Sequence, residues 1–328
     1  MSPHVLASLT FRESHVSQAE SPPPTPPEAW TVRRVLEWTT GHLKKHGSDT
    51  ARLDAEILLA HARGCQRIQL YTAYDEPLAD SVRATMRDLV QRRAQAEPVA
   101  YLVGHREFFS LNFRVTRDVL IPRPDTETLV IEIIEGVKTL VAARTSSGQA
   151  AGTVRILDLC TGSGCVAIAV AKNCQMTKLN VNVIATDISP AALSIARENA
   201  AANKIDDRIE FFEGDLFAPL ASAAKFDIIS GNPPYISSAE IDTLDAEVAK
   251  HEPRLALDGG PTGLSVFERL IAAAPQHAAP GALFLMEMSP EQAEPLQQML
   301  TAHGGYSDVT VRKDLAGRPR IIKARITG

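Results

Sequence analysis

Residues 154–164 read Val-Arg-Ile-Leu-Asp-Leu-Cys-Thr-Gly-Ser-Gly, and an apolar stretch follows at 166–171. The first six residues are typical of a buried strand, the two glycines of a tight turn, and the apolar stretch of a helix. Gly162 and Gly164 let a ligand approach the backbone closely, and the NH groups at a helix N-terminus can receive a carboxylate. The segment therefore predicts a strand, a ligand-binding turn and a helix, the repeating unit of a parallel α/β sheet.

Two further predicted strands, 181–186 and 209–212, each lead into acidic residues. Asp187 ends the first of them, about twenty residues after the glycine turn, where an acidic residue in such a fold accepts the hydroxyls of a ribose. Asp215 and Leu216 follow the second strand and are suited to accept a hydrogen bond from an adenine and to cover its ring. The three strand ends are expected in order along one edge of the sheet.

A fourth apolar run, 226–229, leads to the tetrapeptide Asn232-Pro233-Pro234-Tyr235. This tetrapeptide is suited to present a planar NH2 group for alkylation. The side-chain oxygen of Asn232 and the carbonyl of Pro233 can each accept one hydrogen, the prolines stiffen the loop, and Tyr235 can pack against the flat group. Because Asn and Pro are ordinary turn residues, the tetrapeptide alone is also compatible with a rigid turn.

Together, the glycine turn, the acidic strand ends and the tetrapeptide resemble a class I, Rossmann-like methyltransferase that uses S-adenosyl-L-methionine. A dinucleotide-binding domain is the weaker alternative, because it uses a complete Gly-x-Gly-x-x-Gly turn for the pyrophosphate. The resemblance implies a mostly parallel seven-stranded α/β sheet. The cofactor-binding residues that it implies are Asp158, Cys160, Thr161, Gly162, Ser163, Gly164, Asp187, Asp215, Leu216 and Asn232. Cys160 replaces the first glycine of the usual pattern, and its side chain is accommodated if the backbone there has negative φ.

Several distant blocks are similar to the peptide-chain release factor glutamine N5-methyltransferases, the PrmC/HemK family. These blocks are 52–59, 97–104, 106–109, 121–127, 252–260 and 313–318. The resemblance implies methylation of a glutamine side-chain amide, in the Gly-Gly-Gln motif of release factors, and hence an effect on translation termination. One departure is Glu287-Met288-Ser289, where a glutamate, an apolar residue and a glycine are expected, and it leaves the local packing open.

The implied reaction needs little acid–base assistance, because a sulfonium methyl group is already activated and in-line placement matters most. Asn232, Pro233 and Tyr235 are the expected catalytic residues, and all four residues of the tetrapeptide are expected to bind the substrate. As the nitrogen attacks, its hydrogens become better donors, so the two acceptors bind the transition state more strongly than the neutral amide. No essential histidine and no catalytic pair of carboxylates is expected.

Three other functions stay open at this point. An enzyme that methylates a glutamine of a large-subunit ribosomal protein would share the chemistry, and residues 158–165 look somewhat like it, whereas residues 258–260 and the region around Arg52 favour the release factor. An adenine-N6 DNA methyltransferase uses a closely related tetrapeptide but must also flip a base and hold phosphates, and the sequence shows no basic recognition domain. A non-catalytic adaptor would not need Asn232 or the two glycines.

At 328 residues the chain is long enough for two domains with separate cores. We expect a disordered proline-rich tail at 1–27, a helical substrate-recognition domain at 28–104, a hairpin and helical connection at 105–152, and the methyltransferase domain at 153–328. Apolar periodicity predicts helices over 31–46, 51–63 and 78–95. A short hairpin is expected over 108–115, and Asp125 is expected to cap a helix that ends at about Arg144.

The composition is that of an ordinary cytoplasmic enzyme, with 45% hydrophobic residues and a net charge of −5. No basic face indicates nucleic-acid binding. The four cysteines and nine histidines show no metal-ligand spacing, so reduced thiols and no metal are expected. No stretch is apolar enough for a membrane span, and the N-terminus lacks the pattern of a secretory signal. The expectation is a monomer that acts on release factors without binding nucleic acid or membrane.

Overall fold

The computed structural model describes residues 29–148, 150, 152–220 and 225–327. The proline-rich tail predicted for residues 1–27 lies outside the described residues. From Ala29 onward the chain first forms a small helical bundle, then a hairpin and a long helix, and finally a twisted sheet with helices on both faces.

The helical bundle has its own apolar core. Its helices are α1 (Val32–Lys45), α2 (Ala51–Arg63), α3 (Arg67–Thr72), α4 (Asp80–Arg93) and α5 (Val99–Val103). The residues at helical spacing on one face of α1 are buried, namely Val35, Leu36, Thr39 and Leu43. The predicted limits of α2 are confirmed, and Gly64 ends that helix in a left-handed conformation with φ 65°. The short helices α3 and α5 were not predicted, because six and five residues are too few to show a helical period.

A hairpin connects the bundle to the rest of the chain. It pairs β1 (His105–Phe108) with β2 (Leu111–Arg114), so the predicted start of the hairpin at residue 108 is wrong by three residues. The first three residues of β1 are polar and exposed and therefore gave no apolar alternation. Phe109 and Ser110 have φ of 49° and 60°, as a two-residue turn of type I′ requires, although neither residue type is a signal for it.

A long helix, α6 (Glu127–Ser146), then packs across the sheet. The prediction that Asp125 caps this helix is wrong. Thr126 occupies the cap position, but its side chain accepts no backbone NH group of the helix, and Asp125 pairs instead with Arg318 and Arg320 near the C-terminus. Ion pairs with two arginines bind a carboxylate more strongly than one backbone NH group does, so Asp125 makes the tertiary contact and does not cap the helix.

Strands and helices alternate in the remainder of the chain. The strands are β3 (Val154–Leu159), β4 (Val181–Asp187), β5 (Ile209–Glu213), β6 (Phe226–Gly231), β7 (Ala278–Glu287), β8 (Tyr306–Lys313) and β9 (Pro319–Ile326). The helices are α7 (Cys165–Met176), α8 (Pro190–Ala202), α9 (Ala246–His251), α10 (Ser265–Ala273) and α11 (Ala293–His303). Of these strands, β7 was not predicted.

The described part of the chain forms one seven-stranded sheet in the order β5-β4-β3-β6-β7-β9-β8. The five strands from β5 to β7 are parallel, and β9 runs antiparallel to both of its neighbours. The predicted α/β fold, with a mostly parallel sheet and an antiparallel edge, is confirmed. Both faces are covered, since Ile156 of β3 packs in a cluster with α6 and α7 while the adjacent Leu157 packs with α10 and α11.

The helical bundle is attached beside the carboxyl edge of this sheet. Arg93 of α4 is held within the bundle by a hydrogen bond of 2.8 Å from its Nε to Oδ2 of Asp54 on α2. The same arginine pairs with Glu247 of α9, outside the bundle. A small apolar cluster joins Tyr101 of α5 and Val119 to the first turns of α8. These contacts fix the bundle next to the strand ends that the sequence identified.

Candidate active site

A cavity opens where the carboxyl ends of the parallel strands meet. Most of the residues predicted to bind cofactor or substrate line it, namely Asp158, Cys160, Thr161, Gly162, Ser163, Asp187, Asp215, Leu216, Asn232 and Pro234. Gly164, Pro233 and Tyr235 do not line it. The order β5-β4-β3-β6 places Asp215, Asp187, the glycine turn and Asn232 in sequence along the sheet edge, as expected from the strand ends.

The two glycines of the turn have different roles. A Cβ at Gly162 would meet no atom within 4 Å, so the backbone there faces open space in the cavity, with φ 56°. A Cβ at Gly164 would lie 3.0 Å from Ile168 Cδ1 and 3.1 Å from Ala196 Cβ. Gly164 therefore serves the close packing of α7 against α8, and only Gly162 offers backbone to a ligand.

Cys160 departs from the sequence expectation. Its φ is 56°, in the left-handed region, and not negative as the prediction required. A side chain in this conformation costs roughly 1 to 2 kcal/mol, which explains why the family pattern has glycine at this position. Neighbouring contacts stabilise this strained conformation. Cys160 packs against the apolar cluster beneath α10, and the next residue, Thr161, donates its backbone NH to the carbonyl oxygen of Thr186 at 3.1 Å. Burial raises the pKa of the Cys160 thiol, so it stays protonated.

Asp187 is held by backbone donors on both oxygens. Gly162 N donates to Oδ2 at 2.8 Å, and Ser189 N donates to Oδ1 at 2.9 Å. Burial is the largest influence on this carboxyl group and raises its pKa, while the NH donors act in the opposite direction. Each carboxylate oxygen retains a lone pair, so the side chain can accept the hydrogens of a vicinal diol.

Asp158 is a buried carboxyl group without a counter-charge. It is 2% exposed and accepts a hydrogen bond from Thr161 Oγ1 at 2.6 Å. Burial raises its pKa to about 7, and the nearby Asp187 acts in the same direction. No basic side chain in the described ranges pairs with it. A ligand ammonium group in the cavity would supply the missing positive charge.

Asp215 and Leu216, which follow β5, already have hydrogen-bond partners within the protein. Asp215 Oδ2 already accepts a hydrogen bond from Arg269 of α10 at 2.5 Å, which leaves its other oxygen for a ligand. Leu216 is 8% exposed, has φ 52° and receives a hydrogen bond on its carbonyl from Thr186 Oγ1 at 3.1 Å. Leu216 thus presents a fixed apolar surface to the cavity.

The tetrapeptide leaves β6 immediately after Gly231. A Cβ at Gly231 would lie 2.7 Å from the Leu159 carbonyl oxygen, so β6 can approach the glycine turn only with glycine there. Asn232 is half-buried, and its Nδ2 donates to Thr126 Oγ1 at 3.4 Å. Tyr235 is directed away from the cavity and donates its hydroxyl to Glu287 Oε1 at 3.4 Å. Burial raises the pKa of Tyr235 far above its ordinary value, so this hydroxyl remains a donor.

A loop clamp formed by Gly259, Gly263 and Gln292 holds the tetrapeptide. Gln292 Nε2 donates to the carbonyl of Tyr235 at 2.9 Å and to that of Gly263 at 3.0 Å. A Cβ at Gly259 would lie 2.8 Å from the carbonyl oxygen of Pro234. The 252–260 block thus acts by packing against the tetrapeptide, a function that its sequence alone did not reveal.

The departure at residues 287–289 proves harmless to the backbone. Ser289 has φ −75°, so no glycine is required there, and it forms a capping box with Gln292. Glu287 is 1% exposed, and its Oε2 has no hydrogen-bond partner within the described residues. Sequence reasoning did not identify Thr126, Glu287, Gln292 or Arg269 as site residues, because each contacts the site from a distant segment.

Three further observations concern metal binding, cysteine pairing and membrane-spanning helices. Among the residues that the structure describes, no group of three histidine, cysteine or acidic side chains is placed to hold a metal ion. All four cysteines are free. No described helix combines the length and apolar character needed to cross a bilayer.

Comparison with known proteins covers almost the whole chain. The PrmC N-terminal domain family matches residues 34–104, and the methyltransferase small domain family matches residues 136–260. The release factor glutamine methyltransferase of Rhodopirellula baltica is 45% identical over 293 residues, which are 89% of this chain and 95% of that protein. The protein of the same name from Geobacter sulfurreducens is 39% identical over 300 residues, covering 92% of this chain and 98% of its own.

A solved structure supports the fold independently. The hMettl16 catalytic domain, determined in complex with the MAT2A 3′UTR hairpin 6, aligns with a TM-score of 0.50 and 17% identity. The alignment covers 73% of this chain and 82% of that chain. At this identity the likeness concerns the fold alone.

Proposed function

Since the chain belongs to the family of release factor glutamine methyltransferases, we propose that it transfers a methyl group to the side-chain amide nitrogen (N5) of a glutamine in a peptide chain release factor. The observation that carries this proposal is the clamped tetrapeptide at the rim of the cavity, where Asn232 adjoins the glycine turn and the acidic strand ends. Such methylation would act on translation termination.

The methyl donor is S-adenosyl-L-methionine, which supplies a methyl carbon activated by a positively charged sulfur. The residues lining the cavity fit this cofactor. Asp187 offers two fixed acceptors for the ribose hydroxyls. Asp158 has no cationic partner among the described residues, and the α-ammonium group of the cofactor would supply one. Gly162 leaves room for the cofactor to approach the backbone closely. Leu216 and the free oxygen of Asp215 are placed to bind the adenine.

The chain's own contribution to the reaction is to orient the amide. Asn232 Oδ1 and the Pro233 carbonyl each accept one hydrogen of the glutamine NH2 group, which turns the nitrogen lone pair toward the cavity. Both acceptors strengthen their bonds as positive charge develops on nitrogen, so they stabilise the transition state more than the bound amide. The proton leaves to water after transfer. Tyr235 contributes by fixing the loop through the hydrogen bond from its hydroxyl to Glu287.

We further propose that the helical bundle is the second wall of the protein-substrate cleft. The segment from Pro253 to Ala256 lines the cavity, and Leu255 is 58% exposed at its rim. This segment follows α9 directly, and α9 is held to the bundle by Arg93 with Glu247 and by a 3.2 Å contact between His251 Nε2 and the Gln95 carbonyl. A release factor loop that reaches Asn232 therefore passes between the two parts. We also propose that the enzyme acts in the cytoplasm as a monomer.

The test is a transfer assay with methyl-labelled S-adenosylmethionine and the purified chain. The substrates are an intact release factor and the same factor with its Gly-Gly-Gln glutamine changed to alanine. A large-subunit ribosomal protein whose glutamine is a target of methylation, supplied unmethylated, and duplex DNA are tested beside them. Label is expected in the intact release factor alone. Label in the ribosomal protein or the DNA, with none in the release factor, would refute the proposed substrate.

A further inference from the structure

Asn232 must present its oxygen, and not its NH2 group, to the substrate nitrogen. The carboxamide has an acceptor at one end and two donors at the other, and a rotation by half a turn exchanges them. A substrate NH2 group facing the Asn232 NH2 group would find no acceptor. Correct function therefore requires a partner that fixes the orientation of this side chain.

Thr126 is the contact that could fix it. This residue is 2% exposed, lies immediately before α6, and its Oγ1 receives a hydrogen from Asn232 Nδ2 at 3.4 Å. Asn232 Oδ1 makes no hydrogen bond within the part of the chain that the structure describes. A hydroxyl group, however, can either accept or donate, so Thr126 alone does not determine the direction of the bond.

Glu287 determines that direction. Its carboxyl group is 1% exposed at the end of β7, accepts from the Tyr235 hydroxyl on Oε1 at 3.4 Å, and has Oε2 without a hydrogen-bond partner among the described residues. The Thr126 hydroxyl lowers the pKa of this carboxyl group, as a neighbouring hydrogen-bond donor does. An ionised carboxylate can only accept hydrogen bonds. The Thr126 hydrogen is therefore drawn to Glu287, and the lone pairs of the Thr126 oxygen are left for the Asn232 NH2 group.

We propose that Thr126 and Glu287 are positioning residues that hold the Asn232 carboxamide with its NH2 group toward Thr126 and its oxygen toward the substrate nitrogen. The inference rests on the proposed function for the identity of the substrate, but the orientation itself belongs to the free enzyme. Glu287 acts through Thr126 and does not touch the substrate.

The charge state of Glu287 links this arrangement to pH. Burial raises its pKa to about 7, while the Thr126 hydroxyl and Arg320 of β9 lower it, Asp125 raises it, and Tyr235 donates to it. Below that pH the protonated carboxyl group can donate to Thr126, which then donates to Asn232 and favours the rotated carboxamide. We therefore expect the activity at saturating cofactor to be lost as the pH falls through about 7.

The main test compares Thr126→Val, Thr126→Ser and Glu287→Gln in steady-state methylation of the release factor. Thr126→Val and Glu287→Gln are expected to lower kcat by about tenfold to a hundredfold, as for a misplaced reacting group, with little change in the Kd for S-adenosylmethionine. Thr126→Ser restores the hydroxyl and is expected to recover most of the activity. Thr39→Val, at an equally buried threonine of α1, is the matched control and should leave kcat unchanged.

Two measurements separate positioning from a merely structural role. The loss of kcat at low pH that we expect for the natural protein should be absent in Glu287→Gln. In protein labelled with ¹⁵N-asparagine, the Asn232 side-chain NH2 signal, assigned by its absence in Asn232→Asp, is expected to exchange with solvent faster in Thr126→Val than in Thr39→Val.

Wild-type kcat in Thr126→Val, or an unchanged pH profile in Glu287→Gln, would overturn the inference. Loss of cofactor affinity in step with kcat would overturn it as well, because it would indicate general damage to the site. If the natural protein fails to methylate the release factor while the NMR exchange changes as expected, the proposed function fails and the positioning role stands.

Discussion

Replacing Arg93 by methionine should destabilise the helical bundle strongly. Both charged partners are buried, since the side chains of Arg93 and Asp54 are each 5% exposed, with 2.8 Å between Arg93 Nε and Asp54 Oδ2. Removing the cation leaves a buried carboxylate, which typically costs 3 to 5 kcal/mol. Asp54 keeps two hydroxyl donors, Ser48 and Thr50, each at 2.8 Å. We therefore expect the lower end of the range, about 3 kcal/mol in the free energy of unfolding.

The partner on α9 should matter much less for stability. The Glu247 side chain is 42% exposed, so solvent screens its pairing with Arg93. Glu247→Gln is expected to cost less than about 1 kcal/mol. Arg83→Met removes an exposed ion pair with Asp80 from the same helix and serves as the matched control, again with a loss below about 1 kcal/mol.

Urea unfolding followed by tryptophan fluorescence measures this effect selectively. The chain has two tryptophans, Trp30 and Trp38, and both lie in the bundle or at its start. Asp54→Asn and the double variant with Arg93→Met complete a cycle, in which we expect a coupling of about 2 kcal/mol. Additive losses, or a loss below about 1 kcal/mol for Arg93→Met, would show that the buried pair does not stabilise the bundle as reasoned here.

Four further predictions concern the site. Asn232→Ala should lower methyl transfer by at least about a hundredfold while calorimetry shows only a moderate loss of cofactor affinity, and a comparably active variant would refute the acceptor mechanism. Asp187→Ala should weaken cofactor binding by about 1 to 3 kcal/mol, and unchanged affinity would mean that the ribose binds elsewhere. Gly164→Ala should cost about 1 to 3 kcal/mol in thermal unfolding because its Cβ meets Ala196 at 3.1 Å, whereas Gly162→Ala carries only the backbone strain. Because burial raises the pKa of Asp158 from 3.8 to about 7, the folded chain retains a proton that the unfolded chain has released, so the free energy of unfolding without cofactor should fall as pH rises through this window. Urea midpoints should show a smaller slope in Asp158→Asn, and Glu287, Asp187 and Glu252, whose pKa values burial also raises, contribute to the slope that remains.

The elements that sequence predicted well are those with a strong local pattern. The strand at 154–159 and the helix at 51–63 were predicted to the residue, because a continuous apolar run and a glycine stop are both visible locally. Ser189-Pro190 begins α8 as a cap and first-turn proline should, with Ser189 Oγ accepting from Ala192 N at 3.2 Å. The order of the binding residues along the sheet follows from the regular connection of parallel strands.

The features that sequence could not predict depend on distant partners. The positive φ of Cys160 is imposed by the turn, and a cysteine at that position carries no signal for it. Asp125 resembles a helix cap by its sequence, but it pairs with Arg318 in the loop before β9 and with Arg320 in β9. Likewise, nothing near Glu287 in the sequence indicates that Tyr235 and Thr126 surround it. In each case a tertiary contact overrides or adds to the local preference.

The loop clamp also limits how this catalytic unit can be reused in protein engineering. The carbonyl oxygens of Pro234 and Tyr235 occupy the space where Gly259 and Gly263 would otherwise carry a Cβ, so neither glycine tolerates substitution while the loop stays in place. Grafting only residues 232–235 onto another sheet would therefore transfer their sequence without the contacts that fix their conformation. The smallest transplantable module is discontinuous: it comprises the loop through Gly263 together with Gln292 from beyond β7.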